Sequence, residues 1–349
     1  MSSGYNLDLF STKSDLRIFK VHSDDVRRGT DRVRMLSELI KKHEVMYPNI
    51  DKWFRHKVLS GLKTKERTAY IGFRNEEPCV SAVVRRGDES KFCHLHIDEQ
   101  FRNYHLGDLF FAMMAMDIRH CAKRVHFTLP ESLWSEKKPF FQSFGFDEVI
   151  ETKSQYRHSD KELRAGASFA RVWEKTLEKL PIIINSLTKY PDDIFKGLVM
   201  SIKPEFVDKI ECKEKVVEIR KKFNHKWKGC RVTVYSSSPM QAIHGYATIG
   251  DVIQGTPDDI WSQFNNRVGC SRKEFYEYTY KCSKIYAISL EDYEPYTVPL
   301  LLDQICHLLN RNLKPPQSHL SLEKNKTWTE AVSLAELLHS RFQLCASVM

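Results

Sequence analysis

Two stretches of the chain gather residues that could do chemistry. The first is Ile97-Asp98-Glu99-Gln100-Phe101-Arg102-Asn103-Tyr104-His105-Leu106-Gly107-Asp108, between a strand-like and a helix-like segment. Backbone N–H groups at a helix start, reinforced by the helix dipole, make a cradle for a pyrophosphate. Just upstream, strand alternation over Phe92–Asp98 puts His94, His96 and Asp98 on one face and Cys93, Leu95 and Ile97 on the other. Glu99, His96 and His94 are the candidates to take a proton from an attacking group. A solvent-facing strand gives the same alternation, and Cys93-His94-x-His96 has no distant partner to complete a metal site. The second stretch runs from Lys213 to Arg231, with eight Lys/Arg against two Glu, and contains Phe223 and Trp227. Basic groups neutralise phosphates and aromatic rings stack on unpaired bases. The same pattern also fits two core aromatics beside a solvated basic face. Glu218 and Arg220 share one face of a strand, which suits an ion pair, and Lys215 precedes them.

The elements that must hold these residues follow from periodicity. A strand is predicted over 16–22, then helices over 31–44 and 50–63, then strands over 68–74, 79–86 and 91–98. A strongly apolar helix covers 106–120. A strand at 124–129, a helix at 134–144 and strands at 146–152 and 162–171 complete the block. Alternation of strands with crossing helices argues a mixed sheet. A connecting helix over 173–189 is expected to break at Pro181. Beyond it, strands at 197–202, 231–235, 244–251 and 284–290 alternate with short helices, and 327–343 reads as a final amphipathic helix. The domain expectation is 1–172, a helical linker 173–196, a second domain 197–318 and a tail 319–349.

The loop at Arg102–Gly107 resembles the acyl-CoA loop of the GNAT acyltransferases, written (Arg/Gln)-x-x-Gly-x-(Gly/Ala), with His105 at the usual first glycine. Pro139-Phe140-Phe141-Gln142-Ser143-Phe144-Gly145-Phe146 resembles the Phe-Tyr-x-x-x-Gly-Phe element that follows the next strand in that family. The resemblance covers most of residues 15–171. It implies acetyl-CoA as cosubstrate, held by Ile97, Arg102, Asn103, Tyr104, His105, Leu106, Gly107 and Asp108. It also implies a strand that splays from its neighbour, and an oxyanion stabilised by a backbone N–H near Ile97. Glu99, His96 and Tyr104 are the expected catalytic residues. Phe141 stands where many members carry a tyrosine that protonates the leaving thiolate, so water, Tyr104 or His126 would have to substitute.

Gly197-Leu-Val-Met-Ser-Ile-Lys203-Pro204, a short helix, and then Lys213-Glu-Lys215-Val-Val-Glu218-Ile-Arg220 resemble the signature of ASCH domains, with Lys213 in place of a glycine. The downstream parts follow in order: Val232–Tyr235, Ile243–Val252 with Gly245, Phe275–Tyr280 before Lys284–Leu290, and Pro315-Pro316-Gln317-Ser318. The resemblance implies a PUA-like β-barrel that binds RNA or another nucleic acid through Lys203, Lys215, Glu218, Arg220, Lys221 and Lys222. The fold expectation is therefore α+β, with a GNAT mixed-sheet domain before a barrel. The functional expectation is an acetyl-CoA-dependent N-acetyltransferase with an RNA-binding module. The alternatives are an inactive GNAT scaffold or CoA sensor, and an amidohydrolase acting on acylated nucleosides through Lys215 and Glu218.

Composition is compatible with this. A formal net charge of +9 favours an anionic partner, although surplus surface lysine gives the same figure. Nine scattered cysteines without a Cys-x-x-Cys pair argue against a disulfide framework or a structural zinc, and fit a reducing cytoplasm. No metal is expected. The first residues lack the apolar core of a signal peptide, and no run approaches the ~18 apolar residues of a membrane span, so no membrane partner is expected.

Overall fold

The computed structural model describes residues 16–44, 47–74, 77–102, 105–153, 160–187 and 194–346, with side chains through His339. The chain folds into two compact units, one within Met1–Lys189 together with the described residues 343–346, and the other within Tyr190–Phe342.

The first unit runs β1 (Arg17–Val21), α1 (Ser23–Arg28), α2 (Asp31–Lys41), α3 (Ile50–Trp53), α4 (Leu59–Lys63), β2 (Arg67–Arg74), β3 (Glu77–Arg85) and β4 (Glu89–Ile97). It continues with α5 (Leu106–Ile118), β5 (Arg124–Pro130), α6 (Glu131–Ser143), β6 (Glu148–Thr152), β7 (Glu162–Ser168) and α7 (Phe169–Leu187). Its seven strands lie in the order β1-β2-β3-β4-β5-β7-β6. Strands β1 to β4 are antiparallel neighbours, and β4 runs parallel to β5. On one face, Leu36, Leu39 and Ile40 of α2 pack with Phe54, Val58 and Leu62 against Ala69, Ile71 and Val83. Helix α5 is buried on nearly every side, as its all-round apolar sequence requires.

Helix α7 corrects the expected linker. It begins at Phe169, where a strand was expected to continue, and it runs through Pro181 without a break. Leu177, Leu180, Ile183 and Ile184 are buried, so packing holds the helix across the one backbone bond that proline removes.

The second unit runs β8 (Leu198–Ile202), α8 (Pro204–Glu211), β9 (Val217–Arg220), β10 (Arg231–Ser236), β11 (Ala242–Gly255), α9 (Pro257–Phe264), α10 (Arg272–Tyr278), β12 (Ile285–Leu301), α11 (Leu302–Leu309), β13 (His319–Ser321) and α12 (Lys326–Ala346). Six strands lie in the order β13-β8-β10-β11-β12-β9. The long pair β11 and β12 shifts register three times, and such bulges bend a sheet towards a barrel. The result is a half-barrel whose edges are β13 and β9. The expected tail is part of this unit: β13 pairs with β8, and Trp328, Ala331, Val332 and Ala335 of α12 are buried.

Candidate functional sites

In the first unit, β4 and β5 pair over only three positions, Glu89↔Arg124, Ser90↔Val125 and Lys91↔His126. Beyond Lys91 the two strands part, and β4 continues to Ile97 with β3 as its sheet partner on one side. That leaves the β5-facing edge of β4 without a ladder partner beyond Lys91, able to pair with an extended chain. This is the splay that the GNAT resemblance leads one to expect. His126 sits at the last rung of this ladder, opposite Lys91; burial, with the charges of Lys91 and Arg85, pushes it down to about 4.

The loop after β4 carries the expected cofactor residues. Arg102 is exposed, lies 3.2 Å from Glu99 and donates from Nε to the Ile97 carbonyl at 3.4 Å. His105 has φ 54 and ψ 16, the left-handed geometry that a glycine at this point would supply. It stands just ahead of Leu106 at the start of α5 and contacts Asp108 at 3.3 Å, and Asp108 in turn meets Lys179 at 3.1 Å. A Cβ at Gly107 would make ordinary van der Waals contact with Ile97 and Phe140, at 3.4 Å. Asn103 and Tyr104 lie outside the described residues. Phe141 stacks on Trp134, with centroids 5.6 Å apart, and touches Phe127.

The histidines of β4 do not face solvent. The ladder to β3 shifts between Val83 and Val84, so Cys93 forms a bulge. Cys93 therefore packs with the α2–α4 cluster, on the side where the His94 ring meets Trp53 and His43, rather than on the opposite face as strict alternation predicted. His96 is buried beneath His43, with their ring nitrogens Nδ1 and Nε2 2.7 Å apart, and its Nε2 lies 2.7 Å from Asp98. Lys42 donates to both oxygens of Asp98 at 2.9 Å. Burial alone would raise the Asp98 carboxyl; the hydrogen bonds from Lys42 and His96 outweigh it and hold it low. Burial pushes His43 down to about 4 and His94 well below the usual range. Glu99 stands apart from this cluster, with its side chain 86% exposed.

In the second unit, Lys215, Glu218 and Arg220 come together as the spacing suggested, but beneath the surface. Lys215 Nζ donates to the carbonyls of Val217 and Val268 at 2.8 Å and lies 3.1 Å from Glu218. Arg220 Nε meets the other Glu218 oxygen at 3.0 Å. Burial alone would raise Glu218; the two cations outweigh it and leave its carboxyl below the usual range. Arg220 then reaches across to the opposite edge of the half-barrel, donating to the Ser201 carbonyl at 2.6 Å and the Ser318 hydroxyl at 3.1 Å. All three side chains are at most 10% exposed, and the three ammonium protons of Lys215 have partners, so this trio closes the seam rather than reaching a phosphate. Lys203, Lys221 and Lys222 are exposed.

The aromatic residues singled out in the basic run are core. Phe223 and Trp227 pack with Ile202, Val207 and Ile249. The exposed rings are Tyr278 and Tyr280, at 45% and 68%, on and just after α10. Lys221 lies 5.1 Å from the Tyr278 ring, and Lys281 lies 5.2 Å from the Tyr280 ring. Arg272, Lys273, Tyr276, Glu277 and Tyr280 line a shallow hollow of about 730 Å³. Sequence reasoning missed these tyrosines because Tyr276, Tyr278 and Tyr280 read as a strand approach, not as rings left outside a short helix.

Among the described residues, no three or more His, Cys, Asp and Glu are placed to hold a metal ion. Among them, too, no helix is long and apolar enough to cross a membrane.

A family profile described as a domain of unknown function, DUF365, matches residues 195–309. An ASCH domain-containing ribonuclease of Zymomonas mobilis is 30% identical over 141 residues, which is 40% of this chain and 93% of that protein. A crystal structure of ASCH from Zymomonas mobilis matches at 30% identity and TM-score 0.36, covering 40% of this chain and 96% of that one. An acetyltransferase structure from Thermus thermophilus matches at 17% identity and TM-score 0.31, covering 44% of this chain and 96% of that one.

Proposed function

Because the chain belongs to the family of ASCH-domain proteins through its second unit, we propose that this unit binds single-stranded RNA and brings it to an acyl-CoA-dependent N-acyltransferase formed by the first. The observation that carries the reading is the parting of β4 from β5 after Lys91, directly before the Arg102–Gly107 turn into α5. The outward backbone groups of β4 suit a pantetheine arm, and the first N–H groups of α5 suit a pyrophosphate. Ile97, Arg102, His105, Leu106, Gly107 and Asp108 are the described residues that would hold the cofactor, with Asn103 and Tyr104 completing the loop.

Bound acetyl-CoA supplies the activated thioester. The protein aligns it along β4, offers a backbone N–H near Ile97 to the developing oxyanion, and provides a proton acceptor for the incoming amine. Phe141 has no proton to return to the leaving thiolate, which leaves water to do so.

On the RNA side, Lys203, Lys221 and Lys222 meet phosphates and the α10 tyrosines meet bases. Lys215, Glu218 and Arg220 fix the edge on which these groups stand. Calorimetry with acetyl-CoA tests the reading. Affinity in the micromolar range supports it, and no heat at millimolar cofactor sinks it.

A second reading is favoured by the description of the Zymomonas mobilis relative as a ribonuclease: the second unit itself cuts RNA. Release of fragments from a labelled single-stranded RNA by the full chain, abolished by Ser318→Ala at the seam, would establish this in place of simple binding.

A further inference from the structure

We propose that His43 is the proton acceptor of the first unit, and that His96 and Asp98 are positioning residues that fix its tautomer. The inference rests on the acyltransferase reading and deepens it by naming the base. Glu99 is ill placed for that role, being exposed and paired with Arg102. His96 is ill placed as well, since both of its ring nitrogens have partners: Asp98 at Nε2 and His43 at Nδ1.

The hydrogen-bond chain has one solution when the rings are neutral. Asp98 is anionic and held by Lys42, so it can only accept. His96 Nε2 therefore carries a hydrogen, and its Nδ1 carries the lone pair. His43 Nε2, 2.7 Å from that lone pair, must carry a hydrogen too. The free lone pair of the chain is left on His43 Nδ1. His43 is half-buried where His96 is buried, so it is the ring of the pair that a substrate can reach.

The same chain handles the proton it receives. The amine nitrogen bonds to the thioester carbonyl carbon, the C–S bond breaks, and CoA leaves as a thiolate that takes a proton from water. One amine proton passes to His43 Nδ1. The Nε2 proton of His43 can then move to His96 Nδ1, leaving an imidazolium beside the Asp98 carboxylate. Lys42 and Arg102 oppose a lasting charge, and His94 presents the edge or face of its ring at a centroid distance of 5.5 Å. The relay therefore returns its proton to solvent instead of storing it. The histidine that ends the relay lies 53 residues before its partner, so spacing along β4 could not reveal it.

Two measurements on the full chain separate this inference from the reading beneath it. Nitrogen-15 NMR of labelled histidines reports tautomers directly. The expected result is an Nε2–H tautomer for both His43 and His96, and a mixed His43 population in Asp98→Asn. A His43 ring that is mainly Nδ1–H in the wild type overturns the proposal whether or not the protein is active. The second measurement is acetyl transfer from acetyl-CoA to a panel of polyamines and peptide amines. His43→Gln should lower kcat by about 100-fold, the scale of a lost general base, with KM for acetyl-CoA unchanged. A loss under about threefold overturns the assignment. A wild-type chain with the expected tautomer that transfers to no amine overturns the acyltransferase reading, and the base falls with it.

Discussion

Arg220, at the end of one edge strand of the half-barrel, donates to the Ser318 hydroxyl 3.1 Å away, beside the opposite edge strand. Its Nη2 reaches the Ser201 carbonyl at 2.6 Å, and its Nε meets Glu218 at 3.0 Å. One side chain thus ties β9 to the β8–β13 edge, which the backbone ladder leaves unjoined to it. Arg220→Ala should therefore destabilise the second unit by about 3–5 kcal/mol, since Glu218 keeps its burial and loses one of two cations. Arg220→Lys should recover part of this, because an ammonium lacks the fork that spans both edges. Urea unfolding of the three proteins checks the order, and an Arg220→Ala loss below about 1 kcal/mol would contradict it.

Glu218 should give this unit an acid-sensitive component. Its carboxyl lies below the usual range when folded, held there against burial by Lys215 and Arg220. The contribution is therefore fully present above the unfolded value of about 4.3, and it is lost as pH falls through the lower folded value. Between those two values the wild type should lose stability with a slope approaching one proton. Glu218→Gln should be less stable at neutral pH and flatter over that acid window. Equal slopes in the two proteins, measured by denaturant unfolding at several pH values, would remove Glu218 as the cause.

Unpaired bases should sense Tyr278 and Tyr280. Both rings are exposed, with Lys221 5.1 Å from the Tyr278 ring and Lys281 5.2 Å from the Tyr280 ring. Alanine at either position should weaken binding of single-stranded RNA by about 1–3 kcal/mol, with little effect on duplex RNA, whose bases stay stacked. Charge reversal at Lys221 and Lys222 should act differently, lowering affinity for any sequence and flattening the salt dependence by about one contact each. Fluorescence anisotropy at two salt concentrations separates the two effects. Unchanged single-strand affinity in Tyr278→Ala and Tyr280→Ala places the contact surface elsewhere.

The order of elements was readable because periodicity and turn residues are local properties, and so was the grouping of Glu218 and Arg220 on one short strand with Lys215 just before it. What escaped was set by distant parts of the chain. Phe223 and Trp227 look like stacking residues in a basic run, yet their rings are drawn into a core built by Ile202, Val207 and Ile249. His96 looks like part of a wet strand face until the turn after α2 delivers His43 against it. Pro181 reads as a break because its effect on backbone bonding is local, while the buried Leu177, Leu180 and Ile184 that keep α7 whole are not. The bulge at Cys93 turned an alternation argument by one residue, which is all that a strand face needs to reverse.

The two departures from family glycines share one geometry, and that geometry predicts how substitutions there behave. His105 has φ 54 and Lys213 has φ 60, so each side chain occupies a left-handed backbone that favours glycine. For most residues this conformation carries a penalty of about 1–2 kcal/mol relative to the right-handed one. His105→Gly removes that penalty and gives up a half-exposed contact with Asp108, worth well under 1 kcal/mol. It should leave stability unchanged or slightly raised. His105→Ala loses the contact and keeps the strained backbone, so it should be less stable than His105→Gly by about 1 kcal/mol. The same ordering, Gly above Ala, should hold at Lys213, where no close contact complicates the comparison among the contacts described. Thermal unfolding of the four variants checks it. Alanine variants as stable as the glycine ones at both positions would show that these two turns do not keep their left-handed geometry in solution.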